Sequence, residues 1–337
     1  MSTLKIGALK NNGSAVALPN GVKVSGNEIV QGYTSSGTEP TSPAKGDFWW
    51  DSTNELLYQY ANSEFKAIGI TAPVTNWTVA LSSVTYDSVS FNADGQESSP
   101  YGIVFNADGT KLYIIGVGSD TVHQYGLSTA FDISTTSYDS VSFSVASQET
   151  SPFSLAFNTD GTKMYVLGDT NKTAFQYTLS TAFNVGTASY DSVSFSFATQ
   201  DTGAQSLVFN TDGTKMYVIG PSQDTVFQYT LSTAFNVGTA SYDSVSFSVS
   251  SQEAIPRAMA FNSDGTKMYI VGQGGQSAVQ YSLSTAFDVS TASYDSVSFS
   301  VASQDTVPFD LKFSSDGTKM YVIGIVTEYI YQYSTGL

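Results

Sequence analysis

The chain has 337 residues, 41% of them hydrophobic and only 12% charged, with a net charge of −16, one histidine and no cysteine. That composition can fill one large core and a smaller one. It excludes disulfides and thiolate metal sites, and so few lysines and arginines disfavour nucleic acid or an anionic membrane surface as partner. No stretch reads as a signal peptide or reaches transmembrane length, so membrane insertion is not expected.

Residues 1–75 share no repeat with the rest and read as a small β-rich attachment or oligomerisation segment. Leu18–Val24 reads as a hairpin around Asn20-Gly21, and 34–44 as a Ser/Thr/Pro/Gly-rich stretch. Two short strands flank the polar turn Asp51–Asn54, with Trp49, Trp50, Leu57 and Tyr58 as a small apolar platform. So little apolar surface is a weak independent core. The segment is therefore expected to dock or to form a homo-oligomer through Trp49 and Trp50.

From residue 76 to 337 the chain is organised by a 52-residue period. The phrase Phe157-Asn-Thr-Asp-Gly-Thr-Lys-Met-Tyr165 and its variants begin at Phe105, Phe157, Phe209, Phe261 and Phe313; Tyr-Asp-Ser-Val-Ser-Phe begins at Tyr86, Tyr138, Tyr190, Tyr242 and Tyr294. One unit predicts four strands: Phe153–Asn158, Lys163–Gly168, Ala174–Leu179 and Tyr190–Ala198. The second is apolar on both faces, as a doubly buried strand requires, whereas the fourth alternates Val and Phe with Ser, as a strand with one wet face does. Asp-Gly between the first two is a hairpin signal. Repeats of this period and content describe propeller blades. The array opens with a fourth strand, Tyr86–Phe91, and ends on a third, Tyr329–Tyr333, so pairing those two closes a five-bladed, all-β ring and covers their edges.

Two resemblances follow. Asp-Gly-Thr-Lys-Met-Tyr-Val with the following Gln-Tyr-Thr-Leu-Ser-Thr-Ala-Phe resembles the repeats of YVTN and lactonase-like propellers, over about 260 residues. Pro43…Gly46-Asp47-Phe48-Trp49-Trp50-Asp51-Ser52 resembles short elements of tailed-phage tail-fibre and other virion proteins. Fold likeness does not carry function with it. The expectation from the second resemblance is a virion structural protein on a phage tail or capsid. Its N-terminal segment would bind other virion proteins, and its propeller would face a host cell-surface receptor or glycan. The alternatives are a decoration or assembly protein that binds nothing, or a metal-dependent lactonase-like hydrolase.

Three sets of residues carry these readings. The first-strand lead-ins Tyr101, Phe153, Gln205, Arg257 and Phe309 vary between otherwise near-identical units and are expected as exposed contacts at the channel mouth. Glu97, Glu149, Asp201, Glu253 and Asp305 recur at the same period and are expected either to tie down backbone amides or to form a cation-binding ring. The turn aspartates Asp108, Asp160, Asp212, Asp264 and Asp316 read as turn formers, each with the following lysine as a solvated neighbour. His123, on a third strand where other units have Phe175 and Phe227, reads as a packed residue, so no enzymatic activity and no cofactor are expected.

Overall fold

In the computed structural model, residues 77–337 are described continuously, and eight short strands between Leu4 and Ala67 are described ahead of them. The chain divides into two compact units, Met1–Thr75 and Asn76–Leu337. In the first, Phe48–Asp51 and Leu56–Ala61 pair antiparallel around the expected turn, with Trp49 opposite Tyr58 and Trp50 opposite Leu57. Tyr33–Ser36 and Glu64–Ala67 complete a four-stranded sheet. The expected hairpin is corrected in part: Lys23–Val24 pairs with Leu4–Lys5, while Asn20 and Gly21 lie outside the described residues. The side chains of Trp49 and Trp50, and with them their attachment role, also lie outside what is described.

The second unit is a five-bladed propeller of four-stranded antiparallel sheets. Blade 1 comprises Pro100–Phe105, Lys111–Gly116, Thr121–Leu127 and Thr136–Ser144; blade 2 comprises Pro152–Phe157, Lys163–Gly168, Thr173–Leu179 and Ala188–Ser196. Blade 3 comprises Ser206–Phe209, Lys215–Ile219, Thr225–Leu231 and Ala240–Ser248; blade 4, Pro256–Phe261, Lys267–Gly272, Ser277–Leu283 and Ala292–Ser300. Blade 5 has Pro308–Phe313, Lys319–Gly324 and Tyr329–Ser334, and takes Thr85–Asn92 as its outer strand, with Tyr86 opposite Tyr333. The outer strands alternate half-buried and exposed residues and the second strands are buried almost throughout. That follows from their places at the rim and inside the sheet. Phe197, expected in the fourth strand, has left it: the residue is fully buried and its N–H donates to the Lys172 carbonyl.

Each Asp-Gly turn is held by its own side chains. Asp160 Oδ1 accepts from the Thr162 N–H (2.9 Å) and hydroxyl (2.5 Å), and these bonds hold its carboxyl below the ordinary range. Gly161 sits at φ +71°, and a Cβ there would collide with the Phe183 ring, so the position needs glycine twice over.

The repeated tyrosines and lysines join the blades. Tyr165 is fully buried and donates from Oη to the Phe235 carbonyl of the next blade (2.5 Å); Tyr113, Tyr217, Tyr269 and Tyr321 make the equivalent bond at the other four junctions. The repeated lysine does not serve the turn aspartate, as its spacing suggested. Lys163 Nζ lies 2.7 Å from Asp191 Oδ2 on the outer strand, because the antiparallel register places the third strand's Thr178 between them. Gln176 donates to the same carboxylate (2.9 Å) and accepts from Val237 N–H of the next blade (3.1 Å). The Tyr-Asp-Ser phrase therefore supplies the anchor of a network that crosses from blade to blade.

Candidate functional site at the channel mouth

The five innermost strands meet their neighbours around the ring axis. In blades 1, 2, 4 and 5 the register skips one residue between the first strand's first proline and its third residue, at Tyr101, Phe153, Arg257 and Phe309. A bulged residue has no partner across the ladder and its side chain is re-aimed. In blade 3 pairing starts only at Ser206, with Gln205 just ahead of it.

These five side chains are brought together. Tyr101, Phe153 and Phe309 form a three-way contact with centroid separations of 4.8, 4.5 and 5.3 Å. Phe153 and Phe309 belong to blades that are not neighbours, so the aromatic group reaches across the axis. The guanidinium of Arg257 lies 5.3 Å from the centroid of the Phe309 ring. It donates from Nη1 to Gln205 Oε1 (2.8 Å) and from Nη2 to Gln273 Oε1 (2.6 Å). The expectation of openly exposed aromatics is corrected: Phe309 is 2% exposed and Gln205 8%, because the rings bury one another.

Arg257 is the only arginine in the chain. Among the described residues it has no carboxylate partner, and its Nε is buried without a hydrogen-bond partner. Burial draws its pKa down, but a guanidinium stays charged. An unpaired cation with spare N–H donors against aromatic faces has the chemistry to receive an anion or a polarised carbonyl.

The acidic residues do not form a ring open to the channel. Glu97, Glu149, Glu253 and Asp305 are buried, and each accepts at least three hydrogen bonds from the loops around it. Glu97 takes the N–H of Ser99, Gly118 and Ser119 and the Ser119 hydroxyl. Asp201 is the exception, with one bond, from Gly203 N–H at 2.7 Å. Carboxylates so committed do not suit the catalytic metal that the lactonase likeness implies, and the cation at the mouth would repel one. Among the described residues no three His, Cys, Asp or Glu side chains converge as a metal cage.

His123 is packed, as its place on a third strand suggested, but it is not inert. Ser119 Oγ donates to Glu97 Oε2 (2.6 Å) and lies 3.1 Å from His123 Nε2; Nδ1 is buried with no partner. This is not a nucleophile–base–acid relay, since the carboxylate holds the serine and not the imidazole. Blade 5 repeats the wiring, with Tyr331 Oη 2.8 Å from Thr327 Oγ1, which donates to Asp305 Oδ2 (2.6 Å). Where the loop residue is Asn171, Gln223 or Gly275, the third strand carries Phe175, Phe227 or Val279. Two further residues escaped the sequence reading. Asp310 accepts from Ile103 N–H of blade 1 (2.9 Å) and pairs with Lys312 (2.5 Å). Comparison of repeats could have found both, since the equivalent positions hold Gly102, Ser154, Ser206 and Ala258, and Val104, Ala156, Val208 and Ala260.

The repeats and their fold are those of a lactonase-family β-propeller. The family described as "Lactonase, 7-bladed beta-propeller" matches residues 56–293, and the chain belongs to that family, with five blades in place of seven. A putative 6-phosphogluconolactonase from Bacteroides uniformis is similar at 12% identity, over 81% of this chain and 72% of that one, with a TM-score of 0.44. The periplasmic gluconolactonase of Pseudomonas aeruginosa is similar at 14% identity, over 73% and 63%, with a TM-score of 0.39. A protein of unknown function from Desulfotomaculum acetoxidans is similar at 13% identity, over 67% and 62%, with a TM-score of 0.43. The chain thus spans less than two thirds of the length of that protein. A search of curated proteins finds no match. Membership of a lactonase family corrects the expectation of a phage virion protein for host adsorption, and with it the expectation that the chain is no enzyme. The short Gly46–Ser52 phrase was too small a basis for the first, and the exclusion of a histidine base was too narrow a basis for the second.

Proposed function

We propose that the propeller binds a cyclic sugar lactone at the channel mouth and promotes its hydrolysis. The observation that carries this reading is the unpaired Arg257 guanidinium facing aromatic surface. Aromatic faces suit the C–H face of a sugar ring, and the free N–H groups of Arg257 suit its carbonyl oxygen. As water adds to that carbon, negative charge gathers on the oxygen, and a fixed cation stabilises it more than it stabilised the substrate. The carbon–oxygen bond of the ring then breaks, the ring oxygen takes a proton from the added water, and a hydroxy acid leaves. Since the rings of Tyr101, Phe153 and Phe309 bury one another, entry of a ligand requires at least one of them to swing aside.

The test follows hydrolysis of glucono-δ-lactone and 6-phosphogluconolactone by pH-stat with purified protein. The expected result is a rate above the spontaneous one that Arg257→Gln lowers by about a hundredfold, the scale for losing one oxyanion donor, with the melting temperature unchanged. A wild-type rate equal to the spontaneous one refutes hydrolysis. Saturable lactone binding without turnover would leave a binding module.

A further inference from the structure

The channel mouth has two unlike halves. Blades 3 and 4 bring Gln205, Arg257 and Gln273, joined by the hydrogen bonds of the guanidinium. Blades 5, 1 and 2 bring Phe309, Tyr101 and Phe153, joined by their ring contacts. Phe309 is the seam, since it also lies under the guanidinium.

The apolar half continues outward on blade 5 alone. In blades 1, 2, 4 and 5 the residue after the second strand sits beside the lead-in: its N–H donates to the carbonyl two residues before that lead-in. In blade 4 these two positions hold Gln273 and Arg257, whose side chains meet at 2.6 Å. In blade 5 they hold Ile325 and Phe309, and Ile325 packs with the cluster that contains all three mouth rings. Val326 follows in the same turn and is 61% exposed; among the described residues only it and Leu337 are large hydrophobic side chains so open to solvent. The other blades have Gly118, Thr170, Ser222 and Gly274 at that position. An apolar strip that runs from buried rings to an open rim, continuous with a polar anchor, suits a ligand with an apolar part.

Charge narrows the ligand further. The loops between second and third strands carry Asp120, Asp169, Asp224 and Glu328, and their one lysine, Lys172, is paired with Asp169. Arg257 can serve one oxygen-rich group, whereas a second anionic group on the ligand would meet mostly acids on this face.

We propose that the lactone bound here carries an aliphatic chain and no second anionic group. Its carbonyl lies at Arg257, and the chain runs over Phe309 onto Ile325 and Val326. The proposal rests on the lactone reading and narrows it, since a bare or phosphorylated sugar ring leaves the apolar rim uncovered.

The test uses the full chain and follows hydrolysis by pH-stat. δ-Valerolactone and δ-decalactone share one ring and differ by a pentyl chain; glucono-δ-lactone and 6-phosphogluconolactone complete the series. An added methylene in an apolar pocket changes kcat/KM by about tenfold or more. On a half-open rim the whole pentyl chain is expected to raise kcat/KM by about tenfold. 6-Phosphogluconolactone is expected to be the poorest of the series. Ile325→Gln, which installs the residue of blade 4, and Val326→Asp, at an exposed position, should each bring decalactone close to valerolactone. Equal wild-type values for those two lactones overturn the proposal, as does 6-phosphogluconolactone as the best substrate. So does a preference unchanged in Ile325→Gln, or in Val326→Asp should the first variant fail to melt as the wild type does. If no lactone is hydrolysed above its spontaneous rate, the hydrolysis reading falls and calorimetric titration with octanoate against acetate decides the chain's seat. Tighter binding of octanoate that Ile325→Gln weakens upholds it; equal binding, or none, overturns it.

Discussion

Tyr86 and Tyr333 face each other across the closing pair of strands, their ring centroids 5.4 Å apart, and beside them the Ser334 hydroxyl donates to Asp87 Oδ1 (2.6 Å) over a sequence separation of 247 residues. The ends of the propeller chain therefore meet in one sheet. The preceding segment tightens the closure: Trp77 Nε1 donates to the Ser315 carbonyl (3.1 Å), and Tyr269 Oη to the Val79 carbonyl (2.9 Å). A chain beginning at Asn76 is expected to melt as one cooperative unit. One beginning after Asn92 leaves the last blade three-stranded and exposes Tyr331 and Tyr333, and is expected to lose cooperativity or aggregate. Calorimetry on both chains checks this, and equal transitions would mean that the closing strand is dispensable.

The blade junctions make a second expectation. Tyr165→Phe keeps the ring and removes only the Oη bond to the Phe235 carbonyl. It leaves that acceptor short of a donor in a buried place, a loss of about 1–2 kcal/mol. Tyr165→Ala adds a cavity, and the cost rises to about 3–5 kcal/mol. Denaturant titration of the two variants separates the bond from the packing. A loss as large for Phe as for Ala would show that the ring contributes nothing.

How much of this was legible in the residues differs between scaffold and site. The period, the Asp-Gly turns and the displaced fourth strand together determined the blade count and the closure, because a doubly apolar strand and an alternating one fit only certain places in a sheet. The lysine's partner was not legible. Sequence proximity favoured Asp160, but the hairpin turns Lys163 away from it, and Asp191 is the residue at hand. The lead-in residues were found as a set, but their exposure was not, since five neighbours around an axis bury one another. That Asp201 alone of the five lead-in carboxylates keeps an unmet oxygen is a matter of hydrogen bonding, which no spacing records.

His123 predicts a pH dependence. Burial holds its pKa below the ordinary value, against a smaller opposing pull from Glu97. The groups facing it are Ser119 and Glu97 through the hydroxyl bridge and Tyr138 edge-on from the outer strand. The folded state therefore resists protonation that the unfolded state accepts. Stability from this source is whole above about pH 6.5, the ordinary imidazole value, and is lost as the pH falls below it toward the depressed folded value. His123→Phe, the residue of blades 2 and 3 at this position, should flatten the melting temperature between about pH 5 and 7. An unchanged slope in the variant would assign the acid sensitivity to carboxylates instead.

The last expectation concerns the aromatic group at the mouth. Phe309 is 2% exposed and touches Tyr101, Phe153 and the Arg257 guanidinium, whereas Phe153 is only half-buried. Truncating Phe309 removes packing on three sides, and Phe309→Ala should cost about 3 kcal/mol or more. Phe153→Ala gives up less, about 1–2 kcal/mol, since part of its surface already meets solvent. The two differ in a second way. Loss of the Phe309 ring removes the face under Arg257 and frees the guanidinium to move, so an anion such as gluconate should bind more weakly to that variant than to Phe153→Ala at matched temperature below both melts. Calorimetric titration with gluconate, beside denaturant unfolding of each variant, reads both effects. If Phe153→Ala proved as costly as Phe309→Ala and gluconate affinity fell equally in both, the three rings would act as one block, and the cation's seat on Phe309 would have no separate role.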